Sequence, residues 1–201
     1  MKRSSVAGDE PDLFVFALPT YFRGYYPGYS AEAAAYHNVL TWVILKAHTN
    51  NHAGRVLLRS NNPCERPIMD VSYFDEGNDS AGDDLEAVID GIELARKIAS
   101  RLSGLVLHEL LPGSSLQSRN DLREFVRAEA WGHHASCTCK IGAQDDPNAV
   151  LDSAFRVRGI RGLRVVDASV FPYIPGFFIA MAVYIISEKA SDVIIQDHSS
   201  T

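Results

Sequence analysis

The sequence predicts an α+β protein, with an antiparallel sheet and packed helices followed by a C-terminal strand–helix segment. Three observations support this class. Short apolar runs bounded by turn residues come first, two stretches with helical periodicity follow, and a long apolar run lies near the C-terminus. A chain of 201 residues, 46% of them hydrophobic, can form one sizeable core or two small ones.

The strands are predicted from apolar runs that turn residues separate. Residues 12–18 are apolar and aromatic-rich and end at Pro19, which indicates a buried strand. Residues 39–48 and 55–59 are strand-like and are joined by the turn-rich segment NNHAG, so we expect them to form a hairpin. A third strand is predicted over residues 67–74, and the sheet is therefore expected to be antiparallel.

Two helices are predicted from periodicity and capping. Apolar residues recur at helical spacing over residues 83–102, and acidic residues crowd the start, where the helix dipole favours them. Residues 118–130 have a second such pattern, in which Ser118 and Asp121 suit a capping arrangement. The first of these helices is expected to pack on the sheet as a structural element.

The C-terminal part is predicted to contain two short strands, residues 155–158 and 163–167, and a helix over residues 177–196. The first half of this helix is apolar on all sides, so we expect it to be buried. Its apolar run, residues 177–186, is about half as long as a membrane span requires, and no span is predicted.

Charge and the N-terminal segment limit the expected partners and compartment. The formal net charge is −6 and the basic residues are scattered, so no nucleic-acid surface is expected. The N-terminal segment has two basic residues but no apolar stretch of the kind found in secretory signals. A cytoplasmic location is therefore the default expectation.

The stretch WGHHASCTCKIG, residues 131–142, concentrates chemically active side chains. Zinc binding through His134, Cys137 and Cys139 would take its ligands from one short piece of chain, which is sterically awkward, and no metal site is predicted. A nucleophilic Cys137 beside His134 lacks a third, orienting residue, so small buried cysteines are the favoured interpretation. Histidine acting in proton transfer is permitted by this pattern and not required by it.

The chain from residue 131 onwards resembles the C-terminal end of glucose–methanol–choline (GMC) oxidoreductases, flavoenzymes that oxidise alcohols with FAD. WGHHASCTCKIG is followed, in order and at matching spacing, by DSAFRVRGIRGLRVVDASVFP, IPG and EKASDVI. An ordered series over about sixty residues is more specific than a lone motif. The resemblance implies a substrate-binding region over residues 1–130. It also implies that residues 131–201 carry the active-site motif and return to the FAD-binding domain.

The resemblance also implies roles for individual residues. His134 falls on the histidine that takes the proton from the substrate hydroxyl. His133 falls on a neighbouring, usually aromatic position, and is expected to pack on the flavin edge. The other expected contacts with FAD lie at a strand end and at the backbone N–H groups that begin the last helix: Asp167, Ala168, Phe178 and Ile179.

Two departures from the family pattern affect these expectations. Ala180 stands where the family usually has a second histidine or asparagine, and alanine can neither donate nor accept a proton. The phosphate-binding motif G-x-G-x-x-G is also missing from this sequence. We therefore expect the C-terminal portion of a larger FAD-dependent enzyme that oxidises a small-molecule alcohol.

An alternative hypothesis is a catalytically inactive, truncated relative that acts as a binding protein. Its candidate binding segment is the aromatic loop YFRGYYPGYS, residues 21–30, which otherwise is interpreted as a packed irregular loop. Without a flavin domain, the last helix would also expose an apolar surface through which the chain could associate.

Overall fold

The computed structural model describes residues 1–102, 104–105 and 108–199. It confirms the α+β class, since the described part contains small antiparallel sheets and four α-helices. The chain divides into two compact units, Met1–Trp131 and Gly132–Thr201. The last two residues of the predicted segment 131–201 lie outside the described residues. The roles assigned to residues 1–130 and 131–201 stay predictions.

The first unit contains two strand pairs and three helices. In chain order its elements are β1 (Leu13–Leu18), α1 (Tyr29–Ala35), β2 (Thr41–Lys46), β3 (Arg55–Leu57), β4 (Ile68–Asp70), α2 (Asp83–Ala99) and α3 (Arg119–Glu129). Antiparallel pairing joins β1 to β2 and β3 to β4. A 3₁₀ turn, Phe74–Glu76, follows β4.

The predicted hairpin between residues 39–48 and 55–59 is wrong. β2 returns to β1, so that Val15 lies opposite Ile44, and β3 pairs with β4 instead. Burial explains this choice, because β1 and β2 both contact α2, whereas all three residues of β3 are exposed. A turn signal identifies where a chain reverses, but the partner of a strand depends on which pairing buries more apolar surface.

Aromatic rings of residues 21–30 contact one another and Trp131 although most of the segment is exposed, and its end belongs to a helix. Edge-to-face contacts join Phe22, Tyr25, Tyr29 and Trp131, with ring centroids 5.2–6.2 Å apart. A Cβ on Gly24 would lie 3.2 Å from the Trp131 ring, so glycine permits this approach. α1 begins at Tyr29, and its alanine-rich sequence has the helix propensity that the loop interpretation overlooked.

The core of the first unit is formed by the two long helices. Its buried side chains come from α2 and α3: Leu85, Ile89, Ile92, Leu122 and Val126. The predicted apolar face of α2 is confirmed, and the helix ends at Ala99 rather than 102. The capping arrangement is also confirmed, because Asp121 N–H donates to Ser118 Oγ at 3.1 Å and Ser118 N–H donates to the Asp121 carboxylate at 3.0 Å.

Gly91 lies on the face of α2 that packs against β2. A Cβ at this position would lie 2.5 Å from Ile44 Cγ2, so a larger side chain must displace the strand or the helix. We expect Gly91→Val to lower the free energy of unfolding by about 1–3 kcal/mol, as overpacking of a core does. Urea denaturation followed by circular dichroism measures this change. Gly8→Val is the control, since nothing lies within 4 Å of a Cβ there; equal stability of the two variants would contradict this packing.

The second unit contains one long helix, α4 (Ala180–Ser199), and a 3₁₀ turn, Ala168–Val170. The two strands predicted here are wrong, since only an isolated antiparallel bridge joins Arg156 to Arg164. Phe155 has a φ of 63°, which an extended strand does not accommodate. Backbone hydrogen bonds still join the two segments, since the N–H of Val157 donates to the Leu163 carbonyl at 2.9 Å and the N–H of Val165 donates to the Phe155 carbonyl at 3.2 Å. The Arg158 guanidinium adds a side-chain anchor by donating to the carbonyl of Gly142 at 2.7 Å.

The apolar first half of α4 was expected to be buried, and this expectation is wrong for one of its faces. Ala182, Val183, Ile186 and Ala190 pack on a core that also contains Leu151, Phe155, Val170 and Phe171. The opposite face is open, with 70% of Met181, 70% of Tyr184 and 67% of Ile185 exposed. The helix starts at Ala180, three residues later than predicted. In the described part of the chain, no helix is long and apolar enough to cross a membrane.

Candidate active site

His134 lies in the second unit, in a segment without regular secondary structure. The chain that follows it is fixed by backbone pairing. Alternate N–H groups of residues 137–141 donate to the consecutive carbonyls of Ala168–Val170 at 2.9–3.2 Å. This pairing holds the end of the His134 segment against the turn that contains Ala168.

The His134 imidazole contacts two rings and one backbone group. Its centroid lies 4.6 Å from that of His133, with the rings inclined at 70°. On another side the Phe178 ring lies 5.8 Å away at 66°. A hydrogen bond joins the imidazole to the backbone of Phe177. The structure therefore brings the predicted residues His133, His134 and Phe178 together at the entry to α4.

The pKa of His134 is lowered below the ordinary histidine value of 6.5. Burial is the main cause, the charge of neighbouring His133 adds to it, and the hydrogen bond with Phe177 opposes it. A bond that raises an imidazole pKa is one in which the ring N–H donates, so the other nitrogen of the neutral ring is an acceptor. Because folding lowers the pKa of His134, the folded state favours the neutral imidazole. This contribution to folding stability is fully present above pH 6.5 and is lost as the pH falls through the lowered pKa.

The remaining predicted residues lie at two neighbouring features of the same unit. Asp167 is exposed, and its carboxylate accepts from the N–H of Ser169 at 2.7 Å at the start of the 3₁₀ turn. Ala168 is half-buried against the core. The Ile179 carbonyl accepts from the N–H of Val183 at 2.9 Å, which makes Ile179 the residue that precedes the first turn of α4.

The cysteines of the motif contribute to packing. Cys137 and Cys139 are half-buried free thiols that pack against the core of the second unit, and Cys64 is exposed. Among residues 1–102, 104–105 and 108–199, no group of three or more His, Cys, Asp or Glu side chains could hold a metal ion. The zinc alternative thus has no ligand set in the described part.

Sequence reasoning missed the groups that orient the site. The Phe177 backbone contact and the Phe178 ring contact join distant segments, and neither has a signal in the local sequence. Asp197, near the end of α4, pairs with both Arg156 and Arg164. The alternating arginines in FRVRGIRGLRV indicated that these side chains need an acidic partner. Sequence spacing alone could not identify that partner as Asp197.

Comparison with known proteins places the chain among oxidoreductases that include alcohol-oxidising enzymes. A family profile described as GMC oxidoreductase matches residues 50–187. The chain belongs to the GMC oxidoreductase family, as the C-terminal motif indicated.

The relatives are enzymes. Over 144 residues the chain is 38% identical to a mitochondrial choline dehydrogenase of Mus musculus, covering 70% of this chain and 23% of the relative. Over 200 residues it is 32% identical to an oxygen-dependent choline dehydrogenase of Brucella anthropi, covering 96% and 34%. A solved formate oxidase of Aspergillus oryzae, studied for FAD modification, matches with a TM-score of 0.70 and 27% identity, over 80% of this chain and 28% of that one. The chain thus spans less than two-thirds of each relative.

Proposed function

We propose that this chain carries the active-site end of an FAD-dependent enzyme that oxidises a small-molecule alcohol, with His134 as the base. The observation that supports this most directly is the state of the His134 imidazole. It is half-buried and has a lowered pKa, and one ring nitrogen donates to the Phe177 backbone. A neutral imidazole held in this way can accept a proton at neutral pH.

The proposed reaction needs this base because an alcohol is a poor hydride donor until its hydroxyl loses its proton. The free nitrogen of His134 takes that proton as the O–H bond breaks. FAD, when bound, supplies the acceptor for the hydride that leaves the carbinol carbon. The product is the carbonyl compound, and the proton stays on His134 until it passes to solvent.

The start of α4 and the neighbouring turn suit the flavin end of FAD. The N–H groups of the first helical turn, from Ile179 onwards, have no partner within the helix, and their partial positive charge favours an anionic ring. We propose this backbone, together with Phe178, as the contact with the flavin. The other proposed contacts come from the 3₁₀ turn and the His134 segment: His133, Asp167 and Ala168.

We also propose that the two segments of the chain have different tasks. Residues 1–130 contribute to substrate binding, and residues 131–201 carry the active-site motif and complete the FAD-binding domain. The exposed face of α4, formed by Met181, Tyr184 and Ile185, is the surface that we propose packs on that domain. The chain covers 23% and 34% of the length of two relatives, which leaves most of their length for the rest of an FAD-binding domain.

Anaerobic mixing of the FAD-loaded enzyme that contains this chain with alcohols tests the proposal. Choline, the substrate named for two relatives, and primary alcohols of increasing apolar character form the panel. We expect at least one of them to bleach the flavin absorbance and to yield one equivalent of the carbonyl product. If dithionite reduces the bound flavin but none of the alcohols does, the result would contradict the proposal and favour a binding protein.

A further inference from the structure

We propose that His133 acts with His134 on the substrate hydroxyl, donating a hydrogen bond to the alcohol oxygen while His134 removes the proton. This inference rests on the proposed alcohol oxidation and gives His133 a direct part in it, in addition to its proposed contact with the flavin. It supplies the second polar group of a site whose expected position, Ala180, holds none.

The geometry of the two histidines carries this inference. In an extended chain, successive side chains point in opposite directions. Here the rings of two adjacent residues lie 4.6 Å apart, inclined at 70°, so the backbone turns both imidazoles to the same side. His133 is exposed and His134 is half-buried. The two imidazoles are therefore close enough to contact one small alcohol together.

His134 cannot supply both interactions that the oxygen needs. Its N–H is engaged with the backbone of Phe177, which leaves one nitrogen to receive the substrate proton. As negative charge develops on the oxygen, a further donor lowers the energy of that state. The start of α4 offers no such side chain, since Phe178, Ile179 and Ala180 are all apolar. His133 is the polar ring in contact with His134.

The step balances with two histidines and FAD as the oxidant. The O–H proton would move to His134, the hydride would leave the carbinol carbon for bound FAD, and the carbon–oxygen double bond would form. His133 keeps its own proton throughout and only donates a hydrogen bond. Loss of one such donor from an oxyanion site typically lowers kcat by about 10²–10³-fold.

Three variants of the FAD-loaded enzyme test this role. We expect His133→Phe to lower kcat by about 10²-fold with a smaller change in KM, because the donor acts in the transition state. His133→Asn should retain more activity, since an amide can still donate. Adding Ala180→Asn to His133→Phe should restore part of kcat, because it returns a polar group to α4. His198→Phe, at the far end of α4, is the matched control.

A readout that needs no flavin follows the imidazoles directly. In an NMR titration of the chain, His133→Phe should raise the pKa of His134, because the nearby charge is removed while burial remains. His198→Phe should leave it unchanged. Phe177 and Phe178, which precede α4 and contact His134, do not titrate. His133 is therefore the titratable neighbour that this experiment changes.

The outcomes separate this inference from the proposed function. If His134→Ala leaves turnover intact, the proposed function fails. If His134→Ala abolishes turnover while His133→Phe retains the wild-type kcat, only the role of His133 fails. Equal losses in His133→Phe and His133→Asn, without restoration by Ala180→Asn, would also overturn it and indicate a packing role.

Discussion

Replacing His134 by alanine is expected to lower kcat of the FAD-loaded enzyme by about 10²–10⁴-fold, the usual contribution of a general base. The imidazole is half-buried beside Phe178, and one of its ring nitrogens is the proposed proton acceptor. Alanine removes the proton acceptor without adding bulk to the entry of α4. Stopped-flow measurement of flavin reduction by alcohol reports this loss directly, since it isolates the chemical step from reoxidation.

Two controls make the result specific to the base. His198→Ala changes another histidine of the second unit, on the last turn of α4, and should leave the reduction rate unchanged. Flavin absorbance and urea denaturation should show that the His134→Ala protein binds FAD and folds. Reduction within threefold of the wild-type rate in a folded, flavin-loaded variant would refute the assignment of His134.

The pH dependence of kcat/KM is expected to follow the lowered pKa of His134. A base must be neutral to accept a proton, so the rate should be constant above the ordinary value of 6.5 and should fall only at more acidic pH. The direction follows from burial, which disfavours the charged imidazole. An acidic limb centred above pH 6.5 would show that another group limits the rate.

Local patterns in the sequence predict α2 and α3 of the first unit well, although α1 was overlooked. The periodicity of α2 and the capping of α3 by Ser118 depend on residues three or four positions apart, and the structure confirms both. The partners of β2 and β3 depend instead on burial between segments far apart in the chain, so the turn signal between them misled the prediction. The exposed face of α4 was not predicted for a related reason. An apolar composition does not show which faces of a helix pack against another segment of the chain.

The candidate site also depends partly on local sequence and partly on contacts between distant segments. The resemblance of WGHHASCTCKIG to a family motif predicts His134 as the base, although the residues alone left metal binding and thiol chemistry open. The contacts that give His134 its chemistry come from Phe177 and Phe178, which only the fold brings near. The positive φ of Phe155 likewise has no sequence signal, and it is incompatible with extended backbone at the first residue of the predicted strand 155–158.

Lys46 holds together a largely buried charge cluster in the first unit. Its side chain is 11% exposed, and its ammonium lies 3.7 Å from the Asp12 carboxylate and 3.5 Å from that of Asp84, which are 10% and 7% exposed. The ammonium also donates to the carbonyl of Ala47 at 2.9 Å. One positive charge at the end of β2 therefore balances two carboxylates, one before β1 and one in the first turn of α2.

Lys46→Met is expected to lower the free energy of unfolding by about 3–5 kcal/mol, because removal of one partner leaves buried charge uncompensated. Backbone donors to Asp12 and Asp84 remain, but they cannot relieve the repulsion between the two carboxylates. Urea denaturation measures the loss, and Lys97→Met on the exposed face of α2 is the control. Adding Asp12→Asn and Asp84→Asn should recover much of the stability, since the repulsion then disappears. A Lys46→Met protein within 1 kcal/mol of wild type, or a triple variant no more stable than Lys46→Met, would mean that the cluster does not behave as a buried ion pair network.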